Sequence, residues 1–174
     1  MNPTNKQPLF VITGASGVGK SSLCEELFLH EKDYIVMEGD LLWNSVYDTP
    51  EDHYSAYRRQ WMKLCAHISQ IGKPVVWCGC GLPEQFENQP ERELFTEIHY
   101  LAVVCEEEVL EHRMRAGRGI EDDGWIKSSC DFNSWLRENA ALTSPPITLL
   151  DTSRLTARRA AALADQWIRR LRAE

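Results

Sequence analysis

Five short apolar runs divide the chain and alternate with longer amphipathic segments. The runs cover residues 9–13, 34–37, 75–78, 98–104 and 147–150. They are continuously apolar and rich in β-branched and aromatic residues, whereas a half-exposed strand alternates apolar with polar positions. The pattern therefore predicts five parallel strands covered by helices on both faces, which is a three-layer α/β/α fold.

Apolar residues at helical spacing predict five helices, over about residues 19–30, 52–70, 106–115 and 125–140 and in the segment after residue 153. The apolar positions of the first helix are Leu23, Leu27 and Phe28. The last helix is expected to be capped by Asp151-Thr152-Ser153. Its inner stripe is expected to contain Leu155, Ala162, Leu163, Trp167 and Leu171.

Length and composition favour one domain over residues 1–174, because 174 residues that are 43% hydrophobic can bury a full core. The 19 basic and 26 acidic residues give a net charge of −7, which disfavours nucleic acid as a partner. No apolar run approaches the roughly 20 residues that span a bilayer, and residues 1–6 lack the apolar core of a signal peptide. We therefore expect a cytoplasmic protein without a membrane partner, and either a monomer or a homodimer is compatible with the sequence.

The six cysteines are scattered along the chain, at Cys24, Cys65, Cys78, Cys80, Cys105 and Cys130. Cys78 and Cys80 are separated by one residue, which is not the spacing of a zinc site, and the histidines show no metal-like spacing. Most of the thiols are expected to be reduced and buried.

A glycine-rich segment joins the first predicted strand to the first predicted helix. This glycine loop comprises Gly14, Ala15, Ser16, Gly17, Val18, Gly19, Lys20 and Ser21, and Ser22 follows in the first helical turn. The spacing Gly-x-x-x-x-Gly-Lys-Ser lets backbone N–H groups surround phosphates at a helix N-terminus, with the lysine on the outer phosphates and the serine on magnesium. The loop therefore predicts binding of ATP or GTP with Mg²⁺. The alternative is an ordinary strand-to-helix turn with an exposed lysine.

Three further segments follow later strands: Asp40, the run Glu108-Val109-Leu110-Glu111-His112-Arg113-Met114-Arg115-Ala116-Gly117-Arg118, and Asp151-Thr152-Ser153. Together with the glycine loop they make nearly the whole chain resemble the small P-loop kinases. That group holds nucleoside and nucleotide kinases, shikimate and gluconate kinases and chloramphenicol phosphotransferase. Membership of the broader AAA-type ATP-binding proteins is compatible with the same loop. The resemblance also implies a small helical lid over about residues 116–140.

The resemblance implies roles for individual residues. Lys20 would hold phosphates, and Asp40 would orient or deprotonate the acceptor hydroxyl or hold magnesium through water. Charge on the transferred group would be neutralised by arginines among Arg113, Arg115 and Arg118, with Arg115 or Arg118 in the lid and Arg113 on the phosphate side. Thr152 and Ser153 would border the nucleotide base. The alternatives are a turn or cap acid for Asp40, a solvated helix end for the arginines and a helix cap for the last segment.

Acceptor-side residues are expected in two places. Gly79, Cys80 and Gly81 resemble the Gly-Gly-Gly stretch of shikimate kinase, where bare backbone lies against the acceptor, although a tight turn is the alternative. Trp43, Tyr57 and Arg58 belong to a ring-rich stretch that suits a small organic acceptor. Arg58 and Arg59 are adjacent on a helix, so at most one is expected to face the site.

The third strand carries no acid for magnesium, which would rely on Ser21, triphosphate oxygens and water, with Asp40 as the nearest acid. The main expectation is an ATP-dependent phosphotransferase acting on a hydroxyl of a small molecule such as a nucleoside, a sugar acid or an antibiotic. A nucleoside monophosphate kinase is the nearest alternative and requires Arg58 or Arg59. A further alternative is a nucleotide-hydrolysing switch or a binding module that uses ATP or GTP to alter a partner contact, although no guanine-reading Asn-Lys-x-Asp is present.

Overall fold

The computed structural model describes residues 6–30 and 32–173. Residues 1–5, on which the expectation of no signal peptide partly depends, lie outside the described residues. The described ranges form one five-stranded sheet from β1 (Leu9–Thr13), β2 (Ile35–Glu38), β3 (Val75–Cys78), β4 (Ile98–Val104) and β5 (Thr148–Asp151). The strand order is β2-β3-β1-β4-β5, and all neighbouring pairs are parallel. The predicted five-stranded parallel sheet is confirmed, with β2 and β5 starting one residue later than expected.

The α-helices in the described part of the chain are α1 (Lys20–His30), α2 (Ser55–Ile68), α3 (Glu84–Glu87), α4 (Glu107–His112), α5 (Asp123–Asn139) and α6 (Ala157–Ala173). Helix α4 continues into a π-helical turn, Arg113–Gly117. Short 3₁₀ turns cover Gly39–Leu42, Pro50–Asp52, Ser69–Ile71, Pro90–Leu94 and Ala140–Leu142. Helix α3 and the 3₁₀ turns were not predicted, because segments of three to five residues are too short to show a helical period.

Both faces of the sheet are covered. Successive residues of β1 point to opposite faces, as in any strand. Phe10 and Ile12 lie in a buried cluster with residues of α1 and α6, whereas Leu9 and Val11 lie in a second cluster with residues of α2. This arrangement confirms the three-layer fold.

The predicted cap of the last helix was wrong, and its predicted inner stripe was right only in part: Trp167 is buried, and Leu155 and Leu171 pack against the core. Thr156 is the capping residue, since its Oγ1 accepts a hydrogen bond from the Arg159 N–H at 3.2 Å, while Asp151 ends β5. Ala162 is exposed, and the buried positions of α6 are Ala160, Ala161, Ala164, Trp167 and Ile168. The β5 strand thus extends one residue further than its apolar run, and α6 starts at Ala157, after the predicted cap segment.

Two other helices also differ from the sequence pattern. Phe28 is 67% exposed, because it lies about 100° around α1 from the buried Leu27. Helix α2 begins at Ser55 rather than near residue 52, because the Asp52 carboxylate accepts the N–H groups of Ser55 and Ala56, each at 3.1 Å. Both differences arise from local geometry that periodicity does not encode.

All six cysteines are free thiols, and every one except Cys80 is buried. Residues 6–30 and 32–173 contain no cluster of three or more His, Cys, Asp or Glu that could hold a metal ion. Over the same ranges, no helix is long and apolar enough to cross a membrane.

Candidate functional site

The glycine loop connects β1 to α1 at the carboxyl edge of the sheet. Gly17 and Gly19 have φ angles of 85° and 105°, in the left-handed region that favours glycine. A Cβ on Gly17 would lie 2.6 Å from the Met114 Cγ, whereas a Cβ on Gly19 would meet only the Arg113 guanidinium, at 4.0 Å. The loop is therefore packed from beneath at Gly17 and leaves open space at Gly19. Such a curl of backbone N–H groups at the start of a helix fits a phosphate group.

Lys20 folds back over the loop that carries it. Its Nζ donates to the carbonyl oxygens of Gly14 at 2.7 Å and Ala15 at 2.8 Å. Burial lowers the pKa of the Lys20 ammonium, and the nearby Cys80 and Asp40 act in the opposite direction. The ammonium therefore lies at the carboxyl ends of β1, β2 and β3, next to the glycine loop.

Glu38 is a site residue that the sequence analysis missed. It is the last residue of β2, opposite Cys78 in the register, and its Oε1 accepts a hydrogen bond from the Ser21 hydroxyl at 3.1 Å. A serine hydroxyl and a carboxylate are the hard oxygen ligands that Mg²⁺ takes in small numbers, together with phosphate oxygens and water. Ser21 and Glu38 would therefore hold Mg²⁺ when a nucleotide is bound, and Glu38, rather than Asp40, is the acid in contact with Ser21.

Replacing Glu38 by glutamine tests this assignment. The amide oxygen of Glu38→Gln can still accept the Ser21 hydrogen bond, but it loses the negative charge that attracts Mg²⁺. We expect the Mg²⁺ requirement of nucleotide binding to rise about 10- to 100-fold, measured by calorimetric titration at several Mg²⁺ concentrations. Glu25→Gln, which removes an exposed carboxylate one turn after Ser21 on α1, should leave the Mg²⁺ requirement unchanged. An unchanged Mg²⁺ requirement in Glu38→Gln would contradict the assignment.

Asp40 lies one residue beyond Gly39, in the 3₁₀ turn that follows β2. Its side chain is exposed, and its backbone oxygen accepts a hydrogen bond from the Trp43 N–H at 3.0 Å. Asp40 is close enough to Lys20 to raise the pKa of the ammonium against the effect of burial. The structure therefore brings Lys20, Glu38 and Asp40 together at the carboxyl edge of the sheet, where β3 lies between β2 and β1.

The Arg113 guanidinium binds backbone carbonyl oxygens of the protein. It donates to the carbonyl oxygens of Val18 at 3.0 Å and Thr152 at 2.9 Å. The buried Thr152 hydroxyl also lies 3.0 Å from the Val18 oxygen. Arg113, in the π-helical turn after α4, and Thr152, directly after β5, consequently hold the glycine loop through the Val18 carbonyl oxygen, and Thr152 is buried there. Ser153 lies at the surface, where its Oγ accepts the Glu106 N–H at 2.8 Å.

Arg118 and Arg115 have different surroundings. Arg118 donates to the Ser16 hydroxyl at 2.7 Å, and its guanidinium lies 5.6 Å from the centre of the Trp125 ring. Arg115 instead forms exposed ion pairs with Glu111 and Asp123. Of these two arginines from the segment after β4, Arg118 is therefore the one in contact with the glycine loop.

The predicted lid segment, residues 116–140, is anchored along its second half. The Asn133 side chain of α5 exchanges two hydrogen bonds with the backbone of Cys105, at 3.1 and 2.8 Å. Ile126, Cys130 and Leu136 of the same helix are buried. The residues around Arg118 are thus carried by a short loop between the π-helical turn and an anchored helix.

The glycines after β3 are required by aromatic neighbours. A Cβ on Gly79 would lie 2.3 Å from the Trp77 indole, and one on Gly81 would lie 2.7 Å from the Phe86 ring. The Gly81 N–H also donates to Thr13 Oγ1 at 3.1 Å. Packing against rings thus accounts for both glycines, which neither the open-backbone nor the tight-turn hypothesis anticipated. Cys80 lies between them and is exposed.

Arg58 is the arginine of α2 that faces this side of the site. It is only 4% exposed, donates to the His53 carbonyl oxygen, and has no partner for its Nε among the described residues. Burial lowers the pKa of Arg58, and the neighbouring Cys80 is the largest influence in the opposite direction. Arg59 points away and forms an ion pair with Glu91 at 2.9 Å. Only one of the two adjacent arginines therefore reaches the site.

Trp43 and Tyr57 lie next to Asp40 and Arg58. The Tyr57 ring centre is 5.4 Å from that of Trp43, in an edge-to-face arrangement, and Trp43 is 46% exposed. The Tyr57 hydroxyl donates to the Gly39 carbonyl oxygen at 2.7 Å. Trp43 is consequently open to a bound molecule, whereas the Tyr57 hydroxyl is already used within the protein.

No protein-family model matches the chain, and no curated protein is significantly similar to it in sequence. Similar solved structures include a gluconokinase from Sinorhizobium meliloti, with a TM-score of 0.63, 19% identity, and coverage of 96% of this chain and 93% of that chain. A sugar kinase from a Janibacter species has a TM-score of 0.63 and 18% identity, with 94% of each chain covered. The shikimate kinase from Acinetobacter baumannii in complex with shikimate has a TM-score of 0.57 and 15% identity, covering 98% of this chain and 97% of that chain. With its parallel sheet, its strand order and these matches over nearly the full length, the chain has the fold of the small P-loop kinases.

Proposed function

We propose that the chain is an ATP-dependent phosphotransferase that moves the terminal phosphoryl group of ATP to a hydroxyl group of a small organic molecule. A fold alone does not specify a reaction, so the proposal rests on the side chains of the site. The observation that carries it is the approach of Lys20 to Asp40 at the carboxyl edge of the sheet, with Glu38 on the Ser21 hydroxyl. Phosphoryl transfer depends on this kind of positioning and charge stabilisation.

Each residue has a defined task in this proposal. The loop amides and Lys20 hold the phosphates, and Ser21 and Glu38 hold Mg²⁺, which neutralises phosphate charge when bound. Asp40 accepts the proton of the acceptor hydroxyl. The acceptor oxygen forms its bond to phosphorus as the bond between phosphorus and the leaving ADP oxygen breaks. Arg118 stabilises the transferred charge from the lid side.

Arg58 indicates the chemical class of the acceptor. A buried guanidinium is costly unless a partner compensates its charge, and Arg58 forms no ion pair with another described residue. A carboxylate or phosphate on the acceptor would supply that partner. We therefore favour an acidic acceptor, such as a sugar acid or another hydroxy acid, over a neutral nucleoside or antibiotic. The same observation supports a nucleoside monophosphate as the second candidate.

An acceptor panel tests the reaction and the acceptor class together. ADP release would be measured with Mg²⁺ and ATP in the presence of matched pairs: gluconate and glucose, shikimate and its methyl ester, and nucleoside monophosphates and their nucleosides. We expect release to depend on an acceptor, with the acidic member of one pair far more effective than its neutral partner. Hydrolysis at full rate without any acceptor would refute the kinase proposal and favour a nucleotide-hydrolysing switch.

Substituting Arg58 tests the anionic contact directly. Arg58→Met keeps much of the buried volume but removes the charged donors, so KM for the acidic acceptor should rise about 10- to 100-fold, as expected for hydrogen bonds to a charged group. ATP binding should stay within twofold. Arg59→Met is the matched control on the next position of α2 and should leave KM unchanged, because Arg59 contacts Glu91. Equal effects of the two substitutions would refute the role of Arg58.

A further inference from the structure

Two side chains of α2 donate to one carbonyl oxygen beside the candidate acid. The Tyr57 hydroxyl lies 2.7 Å from the Gly39 oxygen, and the Trp61 Nε1 lies 3.1 Å from the same atom. Tyr57 is 6% exposed and Trp61 is 1% exposed. Two buried donors from α2 thus converge on this one oxygen.

The Gly39 carbonyl belongs to the peptide unit that joins Gly39 to Asp40. We infer that Tyr57 and Trp61 are positioning residues that fix the Asp40 carboxylate toward the acceptor hydroxyl by holding this peptide unit. The inference rests on the proposed function, because it assigns a purpose to the orientation of Asp40 within that reaction. Helix α2 also carries Arg58, so the same helix positions Asp40 and supplies the proposed contact to the anionic group of the acceptor.

Three features distinguish this arrangement from ordinary core packing. First, Gly39 is closely surrounded, since an added Cβ would lie 3.0 Å from the Cys78 carbonyl oxygen and 3.0 Å from the Tyr57 hydroxyl. Second, a phenylalanine would fill the same space as Tyr57 without burying a hydroxyl, which needs a partner to offset its desolvation. Third, burial raises the pKa of Tyr57 to about 12, so its hydroxyl remains a donor throughout the neutral range.

The two acids of the site are held independently of each other. Glu38 belongs to β2 and is fixed by strand pairing with β3 and by the Ser21 hydroxyl. Asp40 lies beyond the strand, in a 3₁₀ turn whose closing hydrogen bond runs from the Trp43 N–H to its own carbonyl. Loosening the Gly39 carbonyl should therefore disturb Asp40 while leaving the magnesium ligands in place.

Tyr57→Phe tests the inference, with Tyr34→Phe as the matched control. Tyr34 is also buried and also loses one hydroxyl hydrogen bond, to Asp165 at 3.0 Å, but it lies at the opposite end of β2. For Tyr57→Phe we expect kcat to fall about 10- to 100-fold, the size of effect that a small misplacement of a reacting group produces. The affinities for ATP and Mg²⁺ should stay within twofold, and Tyr34→Phe should keep full kcat.

A double variant separates positioning from general damage. If Tyr57 acts through Asp40, adding Tyr57→Phe to Asp40→Asn should lower the residual kcat by less than twofold. A further loss as large as in the wild-type background would refute the inference, as would full kcat in Tyr57→Phe. Hydrogen exchange provides a readout that needs no turnover: amides of residues 38–43 should exchange faster in Tyr57→Phe than in the wild type, and amides of the glycine loop should not. Absence of phosphoryl transfer in the wild type would refute the proposed function, whereas unchanged exchange at residues 38–43 would refute the positioning role itself.

Discussion

Asp40→Asn is expected to lower the rate of phosphoryl transfer by about 10²- to 10⁴-fold, the range for loss of a positioned general base. Asparagine keeps the size of the side chain and its place in the 3₁₀ turn, but its amide cannot accept the acceptor proton. Because Glu38 contacts Ser21 and Asp40 does not, the affinities for ATP and Mg²⁺ should remain nearly normal. The measurement is kcat beside a nucleotide titration of the same preparation.

Asp48→Asn is the control for this change. Asp48 is an exposed carboxylate in the loop that follows the 3₁₀ turn, so its substitution removes the same charge a short distance away. It should leave kcat unchanged. Normal turnover in Asp40→Asn would show that Asp40 is only a turn residue, and it would also remove the basis of the inference about Tyr57 and Trp61.

Lys20→Met should lower kcat by about 10²- to 10³-fold, comparable to removal of one preorganised donor that stabilises developing charge. The ammonium now donates to the Gly14 and Ala15 carbonyl oxygens, and it would exchange these acceptors for phosphate oxygens of a bound triphosphate. The affinity for ATP should fall as well, because Lys20 contacts phosphates both before and during transfer. This loss of affinity distinguishes Lys20→Met from Asp40→Asn.

Lys127→Met provides the matched control for Lys20. Lys127 pairs with Asp131 on the exposed face of α5, at 2.9 Å, away from the glycine loop. It should retain full ATP affinity and full kcat, and a melting curve of each variant would verify folding. An ATP affinity in Lys20→Met within twofold of the wild type would contradict the role of the loop lysine.

The sequence specified the sheet well because its strands are buried on both faces. Continuous apolar runs of four to seven residues that are rich in β-branched and aromatic residues, such as Ile98–Val104, are too short for most helices and favour buried strands. Their alternation with amphipathic segments then leaves few topologies. The errors lie at the ends of elements: Asp151 extends β5, and Thr156 caps α6. Such ends are decided by single hydrogen bonds, which a hydrophobic pattern does not record.

Site residues were predictable where the motif is local and not where it depends on contacts distant in sequence. The glycine loop is contiguous, so its spacing alone identified it. Glu38 was overlooked because an acid at the end of a strand looks like any polar boundary residue until its contact with Ser21 is known. Arg113 was selected from a local run of residues, but its contacts could not be predicted. Its two carbonyl partners, on Val18 and Thr152, come from distant parts of the chain. Tyr57 differs again, because aromatic patterning indicated a ring in the site but not a hydroxyl held by Gly39.

In the proposed reaction, the terminal phosphoryl group of ATP is transferred to an acceptor hydroxyl rather than to water. Phosphorus NMR of a mixture of the protein, Mg²⁺, ATP and the best acceptor of the panel tests it most directly. We expect one new phosphate monoester for each ADP formed, and stable ATP when the acceptor is left out. Inorganic phosphate released in step with ADP, with or without the acceptor, would contradict it.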